Sequence, residues 1–249
     1  MKPQDWTGAT ALVTGASSGI GAAIVRALAG IGLTVVGVGR DGAALDALGG
    51  ECGMIPIACD IRDRERMAAE LAPYAVDVLV NNAGVIPSHS KVQDQPVPDI
   101  DAMIDVNFRA AVLLTQHCLA GMLERRRGHI AFIGSSAGFV PHGQLAVYGA
   151  TKAGVSLFAQ ALRCDLLGTN VRVTEIAPGR VATRLYRDAM DMEAARRTFY
   201  EAYEPLLPDD VAATLVAALT MPAHVDLSRI DIFPTTQAVG GSQIVSPDV

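Results

Sequence analysis

Seven short runs rich in Val, Ile and Ala, near 9–14, 33–39, 54–59, 76–80, 129–134, 171–176 and 229–233, alternate along the chain with longer amphipathic stretches. Alternation of this kind demands strand–helix–strand crossovers, expected to be right-handed, and therefore a parallel sheet. Composition agrees: half of the 249 residues are hydrophobic and 18% are charged, as suits strands buried on both faces. No internal repeat, low-complexity block or linker interrupts the pattern. The sequence thus predicts one doubly wound α/β domain over residues 1–249, a seven-stranded parallel sheet with helices on both faces. Ligands in such sheets bind outside the carboxyl ends of the strands, so the motifs that follow strands are the ones to read for chemistry. The longest break in the alternation, Pro178 to Pro208, follows the sixth run, where a substrate lid of about residues 180–208 belongs.

A net charge of −6 gives no electrostatic reason to bind nucleic acid or an acidic membrane. No apolar stretch reaches the length of a membrane span, and Met1-Lys2-Pro3-Gln4-Asp5-Trp6 lacks a signal-peptide core. Cys52, Cys59, Cys118 and Cys164 show no metal-ligand spacing and read as small core residues in a reducing, cytoplasmic compartment. No metal is expected. Arg125-Arg126-Arg127-Gly128 reads as a dipole-complementing helix end closed by glycine, on the edge away from the site.

Gly15-Ala16-Ser17-Ser18-Gly19-Ile20-Gly21 follows the first strand and opens a helix. Its glycines let the backbone turn tightly and approach a pyrophosphate, whose charge meets N–H groups at the helix N-terminus. The second strand ends Gly39-Arg40 where a carboxylate would select a ribose 2′-hydroxyl; Gly39 leaves room for a 2′-phosphate and Arg40 offers a planar cation to it, favouring NADP(H) over NAD(H). Asp41 beside it is the counter-argument, and an exposed loop arginine the competing role. Asp60-Ile61 closes the third strand, with Asp60 placed either to accept from an adenine amino group or to cap the next helix. Asn82-Ala83-Gly84 closes the fourth, where Asn can lock central strands and Gly lets a ribose lie against the backbone.

Tyr148 and Lys152 stand four apart on one helix face, so the ammonium can stabilise the phenolate and lower a pKa that is ordinarily about 10. Ser135 closes the fifth strand in Gly134-Ser135-Ser136-Ala137-Gly138, where a hydroxyl can hold a carbonyl oxygen; Ser136 is its rival. With the glycine turn, Ser135 and Tyr148-Gly149-Ala150-Thr151-Lys152 in order, the chain resembles the short-chain dehydrogenase/reductase family. The resemblance implies a Rossmann fold and a catalytic tetrad of Asn107, Ser135, Tyr148 and Lys152. In that scheme Tyr148 exchanges a proton with the carbonyl oxygen, Ser135 polarises it, Lys152 tunes Tyr148 and holds the nicotinamide ribose, and Asn107 positions a water linking Lys152 to solvent. It also implies that Pro178, Gly179, Val181 and Thr183 form the nicotinamide-side turn, and that the protein is a homotetramer joined through helices around 102–123 and 148–166.

Asp231-Ile232-Phe233-Pro234-Thr235-Thr236-Gln237 and Leu219-Thr220-Met221-Pro222-Ala223-His224-Val225 resemble the NADP-dependent 3-hydroxy acid dehydrogenase branch, whose substrates are serine, allo-threonine and short hydroxy or aldehyde acids. Arg180, Arg184 and Arg187 are spaced to align on a helical lid and grip a carboxylate, or else to pair in solvent with Asp188, Asp191 and Glu193. His142 and Gln144, between Ser135 and Tyr148, are further substrate candidates. Two alternatives stand beside this reading. Tyr186, Phe199, Tyr200 and Tyr203 favour a hydrophobic ketone or aldehyde, or a ketoacyl thioester, if they line the pocket, and a non-catalytic dinucleotide-binding regulator needs the glycines without the Tyr148–Lys152 pair.

Overall fold

The computed structural model describes residues 3–186, 189, 191, 193 and 204–239. The strands are β1 (Thr10–Thr14), β2 (Thr34–Gly39), β3 (Ile55–Ala58), β4 (Val76–Asn81), β5 (Gly128–Ile133), β6 (Val171–Pro178) and β7 (Arg229–Ile232). The helices among the described residues are α1 (Gly19–Gly30), α2 (Gly42–Cys52), α3 (Arg64–Leu71), α4 (Val97–Ile104), α5 (Ala110–Arg125), α6 (Ala146–Asp165) and α7 (Pro208–Leu219). The strands form one sheet in the order β3-β2-β1-β4-β5-β6-β7, every pairing parallel. The chain runs outward from β1 to β3, returns, and runs outward again from β4. The carboxyl ends of β1 and β4 therefore flank a switch point where a crevice must open.

Two-residue alternation sorts each strand between two cores. Ala11, Val13, Val78, Val80, Ala131 and Ile133 pack with α1, α2 and α7, while Leu12, Leu79, Ile130 and Phe132 pack with α3, α5 and α6. β5 and β6 are buried along their whole length, and they carry His129, Arg172, Thr174 and Glu175 into that burial among apolar residues. Steps from β5 to β6 and from β6 to β7 go the same way along the sheet, yet α6 and α7 lie on opposite faces. These two connections are of opposite hand, so the expectation of right-handed crossovers throughout fails at one of them. Packing accounts for the placement of α7: Val211, Ala212 and Leu215 cover the same core as the Ala22–Val25 stretch of α1.

Local departures are equally instructive. Helix α5 ends with Arg126 in the left-handed region, φ 49°, and not with the expected glycine. Gly128 instead opens β5, where a Cβ would stand 2.7 Å from Met122 Sδ. The arginines there bind Asp77 (Arg125), the Gly168 carbonyl (Arg126) and the Trp6 ring (Arg127). Cys164 is exposed and Cys52 half-buried, so only Cys59 and Cys118 fit the core reading.

Candidate active site

A crevice of about 700 Å³ runs along the carboxyl ends of the strands, from Arg40 and Asp60 at one end to Arg184 and Tyr186 at the other. Its nucleotide end is built largely from backbone. Gly15 and Gly19 adopt φ +66° and +53°, conformations that favour glycine, and a Cβ on Gly21 would collide with the Gly15 carbonyl. Ser18 caps α1 in extended conformation without a side-chain cap bond, leaving the first-turn N–H groups for an anion. Asn82 Nδ2 donates to the Thr14 carbonyl at 2.8 Å, and Thr14 Oγ1 accepts from the Asn82 and Ala83 amides at 3.0 Å, which pins the switch point shut behind the cradle. These features fit the pyrophosphate of a dinucleotide.

Ser17, Ser18, Ile20, Gly39, Arg40, Asp60, Ile61, Ala83 and Gly84 line the same crevice. Gly39 faces Ser17, whose Oγ would lie 3.2 Å from a Cβ there. Arg40 is exposed at the mouth, and the neighbouring Asp41 is committed to capping α2 through the Ala44 amide at 3.1 Å. Asp60 does not cap the next helix; Asp63 does. Arg62 instead grips Asp60, with Nη2 to Oδ2 at 2.7 Å, and this hydrogen bond holds the Asp60 carboxyl below its ordinary range.

At the catalytic end, β5 delivers Ser135 and the buried face of α6 delivers Tyr148 and Lys152. Ser135 stands close enough to Tyr148 to favour its ionised form, and its Oγ accepts from the Ala137 amide at 3.2 Å. Ser136 turns into a short 3₁₀ segment and is buried. Lys152 Nζ donates to the Ile133 carbonyl at 2.8 Å and lies 5.9 Å from the Tyr148 ring centroid. Burial dominates both groups, pushing the phenol up to about 12 and the ammonium down to about 8. Burial is the larger influence on the phenol, and Ser135 opposes it.

Asn107 lies outside the crevice, in a π-helical turn, Asp105–Arg109, between α4 and α5. Its side chain exchanges hydrogen bonds with Val85, Oδ1 accepting at 2.8 Å and Nδ2 donating at 3.0 Å. A cavity of about 10 Å³, close to the size of one water site, joins Asn107 to Lys152 and Asn81.

On the substrate side, Pro178, Gly179, Arg180, Val181, Thr183, Arg184 and His142 line the crevice. Residues 180–186 are not helical: Val181 bridges Leu206, and Leu206 N–H donates to the Arg180 carbonyl at 3.0 Å. The expected helical row of arginines is thus absent over Arg180 and Arg184, although both reach the crevice. Arg187, Asp188, Phe199, Tyr200 and Tyr203 lie outside the described residues. Gln144 is exposed at φ 65° and does not line the crevice, which removes it from the substrate candidates.

The family model for short chain dehydrogenases matches residues 9–194. The chain belongs to that family. A 39% identical relative from Escherichia coli, covering 94% of this chain with 98% of its own length, is named an NADP-dependent 3-hydroxy acid dehydrogenase. A short-chain type dehydrogenase/reductase from Sinorhizobium fredii is 51% identical over 94% of each chain. Among solved structures, the closed form of a serine dehydrogenase complexed with NADP+ superposes with TM-score 0.90 at 38% identity, covering 94% of this chain and 98% of that one.

Three residues of this short-chain dehydrogenase site escaped sequence reading. His89, from the loop after β4, lines the crevice and meets Tyr186 edge-on at 5.8 Å. A histidine beyond the carboxyl end of a strand was the available signal. Gln237, noted only as part of a segment, accepts from the Arg180 amide at 2.9 Å and fills the space that a Cβ on Gly179 would need. Arg62 follows Asp60 directly, but nothing in its spacing marks it.

Proposed function

We propose that the protein is an NADP(H)-dependent oxidoreductase that interconverts the carbonyl and alcohol of a small polar or acidic substrate, of the 3-hydroxy acid or short aldehyde acid type. The observation that carries this reading is the convergence of Ser135, Tyr148 and Lys152 beside a glycine cradle on one crevice. A bound nicotinamide supplies or accepts the hydride. Tyr148 Oη gives its proton to the carbonyl oxygen in reduction and takes it back in oxidation. Ser135 Oγ fixes that oxygen and strengthens its hydrogen bond as charge develops. Lys152 carries the positive charge that favours phenolate, and the cavity shared with Asn107 gives a route for reprotonation. Gly15, Gly19 and Gly21 hold the pyrophosphate, Arg40 the 2′-phosphate, Asp60 and Ile61 the adenine, Asn82 and Gly84 the ribose, and Val181 and Thr183 the carboxamide.

Arg180, Arg184 and His142 support an acidic substrate, since Arg180 is near enough to help hold His142 neutral, burial being the larger cause. The apolar reading rests on Ile86, Met103, Leu145, Leu185 and Tyr186, which cluster around Tyr148. Exposed Ile104, Leu123 and Leu157 on α4, α5 and α6 favour a homotetramer built on these helices, measurable by light scattering, and the compartment we propose is the cytoplasm. NADPH and NADH consumption measured against matched acidic and neutral aldehydes tests the function. Faster turnover of acidic substrates with NADPH is expected; preference for bulky neutral ones replaces the substrate class, and no turnover of any carbonyl overturns the enzyme reading.

A further inference from the structure

The β5 and β6 ends conceal a carboxylate behind the catalytic lysine. Glu175 pairs in register with Phe132 on β5, and its side chain is 2% exposed. Ser156, one turn after Lys152 on α6, donates to Glu175 Oε2 at 2.7 Å. A Cβ on Gly134 would stand 2.5 Å from Glu175 Oε1, so the carboxylate occupies space that only glycine leaves open. The preceding residue, Ile133, offers the carbonyl that accepts from Lys152 Nζ. Lysine and carboxylate thus approach the same strand end, Ile133–Gly134, from α6 and β6.

We propose that Glu175 is a positioning residue that keeps the Lys152 ammonium charged from behind the strand ends, deepening the role given to Lys152 under the proposed function. Burial drives Lys152 down to about 8, close to a working pH, and the nearby carboxylate is the group that opposes this. The charged groups facing Glu175 are Lys152 from α6 and Arg229 and Asp231 from β7. Arg229 Nε lies 4.0 Å from Glu175 but 2.8 Å from Asp231, and its guanidinium stacks 4.0 Å over Phe139. Burial raises the Glu175 carboxyl above its ordinary range, and the Ser156 bond, Arg229 and Lys152, in that order, favour its charged form.

The chain has only three lysines, Lys2, Lys91 and Lys152, so ¹⁵Nζ-lysine labelling reads Lys152 directly, assigned by its loss in Lys152→Met. The Lys152 titration midpoint is expected to fall by roughly half a pH unit or more in Glu175→Gln, and to recover partly in Glu175→Asp. Thermal denaturation of each variant checks folding, and Ser156→Ala, which frees the carboxylate without removing it, serves if Glu175→Gln is unstable; it should shift the midpoint less. An unmoved midpoint in folded Glu175→Gln overturns the proposal. The alkaline limb of the kcat profile should follow the midpoint; a midpoint that moves while the kinetic limb stays supports the electrostatic role of Glu175 and sinks the role of Lys152 in turnover instead.

Discussion

Both edges of the sheet bury titratable side chains, and they use them in opposite ways. At the amino edge His129 and Arg172 face each other in register across β5 and β6. His129 is fully buried against Thr174 at 2.8 Å, and burial pushes its imidazole down to about 3, so it stays neutral. Arg172 spends its guanidinium on the Ala218, Leu219, Met221 and Val225 carbonyls around the end of α7. At the carboxyl edge Tyr148 and Lys152 are as deeply buried, but they line a crevice. Burial with partners aimed inward makes a rigid joint; burial beside open space leaves a protonation state for a ligand to decide.

The sharpest way to break this comparison is Tyr148→Phe. It is expected to lower kcat by about 10²–10⁴-fold while NADPH affinity, followed by fluorescence titration, stays unchanged. Retained turnover would strip the carboxyl edge of its chemical role. Arg172→Met is the mirror experiment: urea unfolding should show a loss of about 3 kcal/mol, because several buried carbonyls lose their donors, with kcat of the folded protein preserved. If activity falls at undiminished stability, the two edges are not separable.

A smaller effect separates the edges by pH. The unfolded imidazole of His129 titrates near 6.5 and the folded one near 3, so protons bind the unfolded chain first as pH falls. Its contribution is intact above about pH 6.5 and is lost toward pH 3 at roughly 1.4 kcal/mol per pH unit. His129→Gln should flatten the acid slope of Tm against pH, and an unchanged slope assigns acid sensitivity elsewhere. The smallest expected effect lies at the nucleotide end, where Arg40→Ala should weaken NADPH binding about tenfold and NADH binding hardly at all. Equal losses for both cofactors remove the 2′-phosphate role.

Much of this was legible in one dimension. The seven apolar runs lie within two residues of the seven strands, because buried strand positions are filled mainly by apolar residues wherever they occur. The glycine turn and the pair Tyr148–Lys152 are local as well: each is set by backbone freedom or helical spacing over a few residues. Gln144 and the arginine row misled for a related reason, since sequence proximity to Tyr148 or an assumed helix says nothing of which way a loop turns.

The sequence by itself determined the elements, their order, the phosphate cradle and which residues share the buried face of α6, all consequences of short-range periodicity. Only the tertiary structure decided the face taken by α7, the entry of His89 and Gln237 into the crevice, and the meeting of Glu175 with Gly134 and Ser156 behind Lys152. Those outcomes depend on which strand ends and loops the sheet brings together across long stretches of chain. No local pattern encodes such distances, because packing of the whole core selects them.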